Sequence, residues 1–137
     1  MMSKMYLKIT VPSGIFYEND VEIVTLKMSR GYIGIQPGHS TMFSNIEIGT
    51  LTIGWENKPG TEKYFIGGGL IYVLKDRINI ITDDIVNVKD IDIQRAIEER
   101  DRLENKLREN KYSAADAYSM ELKLKKTLLR IDTYNKK

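Results

Sequence analysis

Cysteine is absent from the 137 residues. That excludes a disulfide framework, a thiolate zinc site, an iron–sulfur cluster and a cysteine nucleophile. Histidine occurs once, as His39; one imidazole could serve a Ser-His-Asp relay, but a multi-histidine metal site cannot be built from it. No window approaches the roughly 20 apolar residues that a bilayer span requires. The opening MMSKMYLKITVPSG has no apolar core after Lys4, so it does not read as a signal peptide. Charge of one sign is also scarce. The formal net charge is +2, too little to argue for a nucleic-acid partner. The expectation is a soluble chain at ease in a reducing cytoplasm, forming one ordinary domain or two very small ones.

What is present is a globular composition, 42% hydrophobic and 29% charged. Its charge is uneven. Residues 1–88 hold 8 Lys/Arg against 9 Asp/Glu, whereas residues 89–137 hold 13 against 10. From Ala117 onward the balance is 6 against 2. A mildly basic tail on a near-neutral body points to an acidic partner.

The hydrophobic period changes along the chain. Met5, Leu7, Ile9 and Val11 alternate with polar residues, as do Leu51, Ile53 and Trp55, which is the period of strands with one buried face. The run Val21–Met28 is apolar at both parities and predicts a strand that is buried on both faces or bulged. Gly69–Leu74 and Arg77–Thr82 predict two strands joined at Lys75-Asp76. Pro12-Ser13-Gly14, Ser29-Arg30-Gly31, Gln36-Pro37-Gly38 and Lys58-Pro59-Gly60 supply turns. Gly67-Gly68-Gly69 opens into a strand rather than a helix, so a β-bulge or tight bend is expected there and not a phosphate loop.

From Lys89 the period becomes helical. Asp90 or Asp92 is placed to cap a helix running to about Glu109, with Ile93, Ala96, Ile97, Leu103 and Leu107 on one stripe. Ser113 caps a second helix, whose stripe is read as Ala117, Met120, Leu124, Leu128 and Ile131. The short connection between them predicts an antiparallel pair. The expected fold is therefore an N-terminal β-sandwich of about 8–10 short strands over residues 1–88 and a C-terminal antiparallel two-helix hairpin over residues 89–137. A hairpin this small buries little by itself. It must dock on the β body or on a partner, and a choice of docking sites suits a mobile regulatory element.

Candidate chemistry is sparse. His39 sits in a turn without an orienting acid nearby in sequence, so a structural or interface role is expected. Asp92 can accept hydrogen bonds at a helix start, Arg95 lies one turn on and Arg102 two further turns along. Lys126 and Arg130 on an antiparallel second helix would come near that face, and several cations together suit a polyphosphate.

Three segments resemble the epsilon subunits of F-type ATP synthases. GYIGIQPGHS (Gly31 to Ser40) is similar to that family's turn-strand-turn segment ending in Pro-Gly-His, although Ser40-Thr41 follows where Ala-Pro is common. IGGGLIYVLKDRINIITD (Ile66 to Asp83) is similar to its Gly-Gly strand pair, and IDIQRA (Ile91 to Ala96) to its helix-opening motif. The likeness runs from about Met5 to Ile131, with Lys126 standing where nucleotide-binding members tend to carry arginine. The resemblance implies a non-catalytic subunit of the rotating central stalk, peripheral on the cytoplasmic face of the cell membrane, in a proton-translocating complex. Its β domain would bind the gamma subunit and rest on the membrane rotor ring of c subunits, with Arg30, Tyr32, His39 and Met42 on the ring side. Its hairpin would fold on the β domain or extend toward the catalytic alpha and beta subunits, where Lys123, Lys126 and Arg130 would oppose acidic groups and restrain ATP hydrolysis. No cofactor is required. ATP is a possible regulatory ligand of Ile91, Asp92, Arg95, Ala96, Arg102, Lys126 and Arg130, and neither nucleic acid nor direct membrane insertion is expected. The alternative is a free-standing cytosolic ATP-sensing module with the same two parts.

Overall fold

The computed structural model describes residues 3–136. It divides into two units, Met1–Asn87 and Val88–Lys137.

The first unit is a β-sandwich built from eight strands: β1 (Met5–Val11), β2 (Gly14–Val21), β3 (Val24–Met28), β4 (Gly31–Ile35), β5 (Met42–Ile53), β6 (Glu62–Val73), β7 (Arg77–Ile81) and β8 (Ile85–Asn87). The pairing order is β2-β1-β7-β6-β5-β3-β4, with β8 also on β6. Every pairing is antiparallel except β1 with β7, where Tyr6 faces Arg77 and Thr10 faces Ile81. The alternation seen in the sequence becomes the core: Leu7, Ile9, Leu26, Ile35, Leu51, Ile66, Ile71, Ile78 and Ile80 are fully buried in one cluster. β1 supplies Leu7 and Ile9 to it from alternate positions, as period two requires.

Two strands are long rather than short. β5 and β6 have 12 residues each and keep a single register from Met42–Val73 to Ile53–Glu62. The other edge of β6 is divided: β8 takes Tyr64 to Ile66 and β7 takes Leu70 to Val73. Gly67–Gly69 is the changeover, a bend without a register shift, so the bend alternative holds over the bulge. The Gly67 N–H donates to the Asp84 carbonyl at 2.7 Å, and the Thr82 hydroxyl donates to the Gly68 carbonyl at 2.6 Å. Gly69 has φ +149°, and a Cβ there would lie 2.4 Å from the Ile81 carbonyl oxygen. Only glycine admits β7 this close.

Other local expectations change. Val21–Met28 is neither doubly buried nor bulged; β2 ends at Val21, the chain turns through Glu22-Ile23 and β3 begins at Val24. Apolar residues at both parities arise there because two strands abut. β5 stops at Ile53, because Gly54 adopts φ +102° and opens a loop whose Trp55 carbonyl accepts from the Lys58 N–H and the Thr61 hydroxyl. Trp55 is therefore a loop residue, not the next position of the strand. A bulge does occur, in β2: Ile9 pairs with Tyr17 but Thr10 with Ile15, so Phe16 is the extra residue. Phe16 and Tyr17 both reach the Tyr64 ring edge-on, with centroids at 5.8 and 6.4 Å.

The second unit opens with a 3₁₀ turn, Val88–Asp90, followed by α1 (Ile93–Arg108) and α2 (Ala114–Asn135). Asp92 rather than Asp90 caps α1, its carboxylate accepting from the Arg95 N–H at 3.1 Å. Ser113 caps α2 and accepts from the Asp116 N–H at 3.1 Å. Asn110, at φ +51°, ends the first helix. The helices pack on each other across this short connection, with Ala96 and Leu103 as the buried residues of α1. On α2 the stripe passes through Thr127, not Leu128. Thr127 is 3% exposed and Leu128 45%. At 3.6 residues per turn either position could follow Leu124. Thr127 tolerates burial because its hydroxyl donates to the Lys123 carbonyl at 2.9 Å.

Candidate functional site

On the second unit, the IDIQRA segment first does structural work. Ile91 is buried and its N–H donates to the Val88 carbonyl. Ala96 is buried and its N–H donates to the Asp92 carbonyl at 3.0 Å. The Asp92 carboxylate is engaged by its own helix. The cationic residues are arranged differently. Arg102 makes a forked contact with Glu99, Nη2 at 2.5 Å and Nε at 3.2 Å. That contact holds the Glu99 carboxyl below its ordinary value, and the charges of Lys123 and Arg95 push it in the same direction. Arg102 is thus the bonded partner of this carboxylate, and Arg95 of the same helix and Lys123 of α2 act on it through their charges. Lys126 and Arg130 follow Lys123 at spacings of three and four, on the same side of α2, and both are half-buried. Glu99 was not among the residues the sequence pattern singles out. Its signal was available as the carboxylate between two arginines at spacings of four and three.

On the first unit, Arg30 and Tyr32 belong to the β3–β4 hairpin, while His39 and Met42 belong to the segment that leads into β5. Tyr32 is exposed, and its hydroxyl accepts from the Thr50 N–H at 3.1 Å. The His39 segment is tied down by the Gly38 N–H on the Lys75 carbonyl and the His39 N–H on the Gln36 carbonyl. Its ring Nδ1 lies 2.8 Å from the Ser40 carbonyl. Met42 begins β5 opposite Val73. Tyr32, the His39 segment and Met42 are thus each held by their own neighbours.

An apolar surface that the sequence reading did not name lies on the outer face of β5, β6 and β7. Phe43 and Tyr72 face each other across the ladder with ring centroids at 4.4 Å, and Leu70 faces Ile81. All four point away from the core by alternation and stay exposed: 58, 45, 36 and 48% respectively for Phe43, Tyr72, Leu70 and Ile81. The clue in the sequence was apolar residues at the second parity of strands whose first parity already filled the core. A contiguous patch of this kind on a sheet is characteristic of a surface that another protein covers.

A cleft of about 620 Å³ opens between the end of β2 and the β5–β6 loop. Asp20, Glu22 and Glu62 outnumber Lys4 and Lys58 along its walls. That balance disfavours a polyphosphate, and none of the residues expected to bind nucleotide lies there. No helix of the described residues is long and apolar enough to cross a membrane.

Residues 4–88 match the family of ATP synthase delta/epsilon chain β-sandwich domains. The chain is 47% identical to the ATP synthase epsilon chain of Mycoplasmopsis synoviae over 134 residues, covering 98% of this chain and 97% of that one. It is 44% identical to that of Mycoplasmopsis pulmonis over 128 residues, covering 93% and 91%. Among solved structures, it superposes on a chain of the Euglena gracilis mitochondrial ATP synthase with a TM-score of 0.78 at 18% identity, covering 99% of this chain and 82% of that one. A chain of the Tetrahymena thermophila mitochondrial ATP synthase central stalk and c-ring gives 0.63 at 15%, covering 97% and 98%.

Proposed function

The chain belongs to the ATP synthase delta/epsilon chain family, and on that footing we propose that it is a non-catalytic central-stalk subunit of a proton-translocating F-type ATP synthase. In this role it couples the rotor to the catalytic head and works peripherally on the cytoplasmic face of the cell membrane. The observation that carries the proposal is the exposed patch of Phe43, Leu70, Tyr72 and Ile81. Such a face is a liability on a free monomer and an asset on a subunit that is permanently covered. Its occupant is the gamma subunit. Arg30, Tyr32, His39 and Met42 serve the c-ring side.

The hairpin is the regulatory part. Lys123, Lys126 and Arg130 share one side of α2 and suit acidic groups on the catalytic alpha and beta subunits. ATP binding to the IDIQRA segment and the cations behind it would favour the compact hairpin by mass action. The alternative of a free-standing ATP sensor has no use for the apolar patch.

Reconstitution of the complex tests the proposal. Phe43→Ser with Tyr72→Ser should abolish co-purification with gamma while leaving a folded chain. A chain ending at Val88 should still assemble, and the complex should hydrolyse ATP faster than one carrying the full chain. Retained gamma binding by the folded double variant would remove the patch from the interface. Unchanged hydrolysis with the shortened chain would remove the hairpin from control.

A further inference from the structure

The cation cluster of the hairpin already contains an anion. Arg95, Glu99 and Arg102 follow one another at spacings of four and three and so share one stripe of α1. The Arg102 guanidinium presents its fork to Glu99, with Nη2 and Nε both bonded. That fork fits a phosphate as well as it fits a carboxylate. Lys123 of α2 and Arg95 add their positive fields at the same point. The pair is open to solutes, with side-chain exposures of 35% for Glu99 and 49% for Arg102. Glu104 makes a useful contrast. It pairs with Arg100 and Arg108 at 3.6 and 3.9 Å, five residues on and on a different side of the helix.

We propose that Glu99 is the resident anion of the hairpin: its carboxylate holds the place that a phosphate group of a polyphosphate ligand takes, so that ligand and Glu99 compete for Arg102. This rests on the reading that the hairpin binds ATP, and it assigns control of the affinity to a residue outside the expected ligand set. Binding requires the Arg102–Glu99 fork to open and brings phosphate charge beside a carboxylate. Both effects weaken the site, so that it responds to abundant polyphosphate and ignores scarce polyphosphate. Neutralising Glu99 removes the competitor and the repulsion together.

Calorimetric titration of the full chain with ATP, and separately with inorganic tripolyphosphate, tests the competition. Glu99→Gln should lower Kd for both ligands roughly three- to tenfold, the scale of one or two exposed charge interactions. Glu104→Gln removes the same charge from the same helix and should change Kd by less than about twofold, because the surrounding salt screens it. Glutamine keeps the helix propensity of glutamate, and the far-ultraviolet circular dichroism of both variants should match the parent. Equal Kd for the parent and Glu99→Gln would overturn the competition and leave nucleotide binding intact. Equal tightening by both variants would overturn it as a general charge effect. No binding by the parent or by Glu99→Gln at millimolar ligand would overturn the competition and the nucleotide reading together.

Discussion

Gly69→Ala should damage the sandwich far more than a methyl group suggests. Gly69 sits at φ +149°, and its new Cβ would meet the Ile81 carbonyl oxygen at 2.4 Å and the Thr82 Cβ at 3.1 Å. The conformational strain alone is about 1–2 kcal/mol for a residue with a side chain. The contact adds about 1–3 kcal/mol, since β7 must move off β6 or the bend must open. The sum of roughly 2–5 kcal/mol compares with a total stability of about 4–13 kcal/mol for a unit of this size. Gly38→Ala is the matched control, because Gly38 has φ +84° and nothing within 4 Å of the added methyl. It should cost the strain alone. Trp55 is the single tryptophan and its indole nitrogen is buried in the first unit, so its fluorescence reports unfolding of the sandwich. With a urea slope of about 1–3 kcal/mol per molar, the contact term alone should lower the midpoint for Gly69→Ala by about 0.3–3 M beyond that for Gly38→Ala. Equal midpoints for the two variants would refute the idea that close approach of β7 fixes this glycine.

Two further outcomes follow from burial. Tyr64 is 4% exposed and its hydroxyl donates to Glu62 at 2.7 Å; burial first, then Glu62, raises its phenol well above the ordinary value. A folded pKa raised above the unfolded value of about 10 gives stability that is complete below that pH and lost as pH rises past it. The sandwich should therefore weaken as pH rises from about 10 to about 11.5 by Trp55 fluorescence, and Tyr64→Phe should flatten that dependence while costing about 0.5–1.5 kcal/mol at pH 8; an unchanged alkaline slope would assign it to another group. Leu103→Ala, at a position 1% exposed in α1, should cost about 2–5 kcal/mol and reduce the helical signal at 222 nm while the Trp55 transition persists; a helical signal equal to that of the parent on heating would mean that the site collapses around the smaller side chain.

Much of this protein was decided within a few residues of chain. Met5, Leu7 and Ile9 state by their spacing which face of β1 is buried. Asp92 and Ser113 mark helix starts because a side-chain oxygen two or three residues ahead of a free N–H can cap it wherever the rest of the chain lies. The glycine triplet announces a bend because Gly68 and Gly69 take φ of +100° and +149°, angles that residues with a side chain rarely adopt. Other features were decided across the fold. Tyr6 pairs in parallel with Arg77, and no local pattern names a partner seventy residues away. The choice of Thr127 over Leu128 depended on the helix opposite, since the period of 3.6 leaves both positions near the seam. The Phe43–Tyr72 face became a patch only when β5 and β6 paired in one register, and Glu99 came under the charge of Lys123 only when α2 folded back along α1. Period, cap and turn are properties of the backbone near one residue, whereas a patch or a charge cluster is a sum over groups that meet only after the chain has folded.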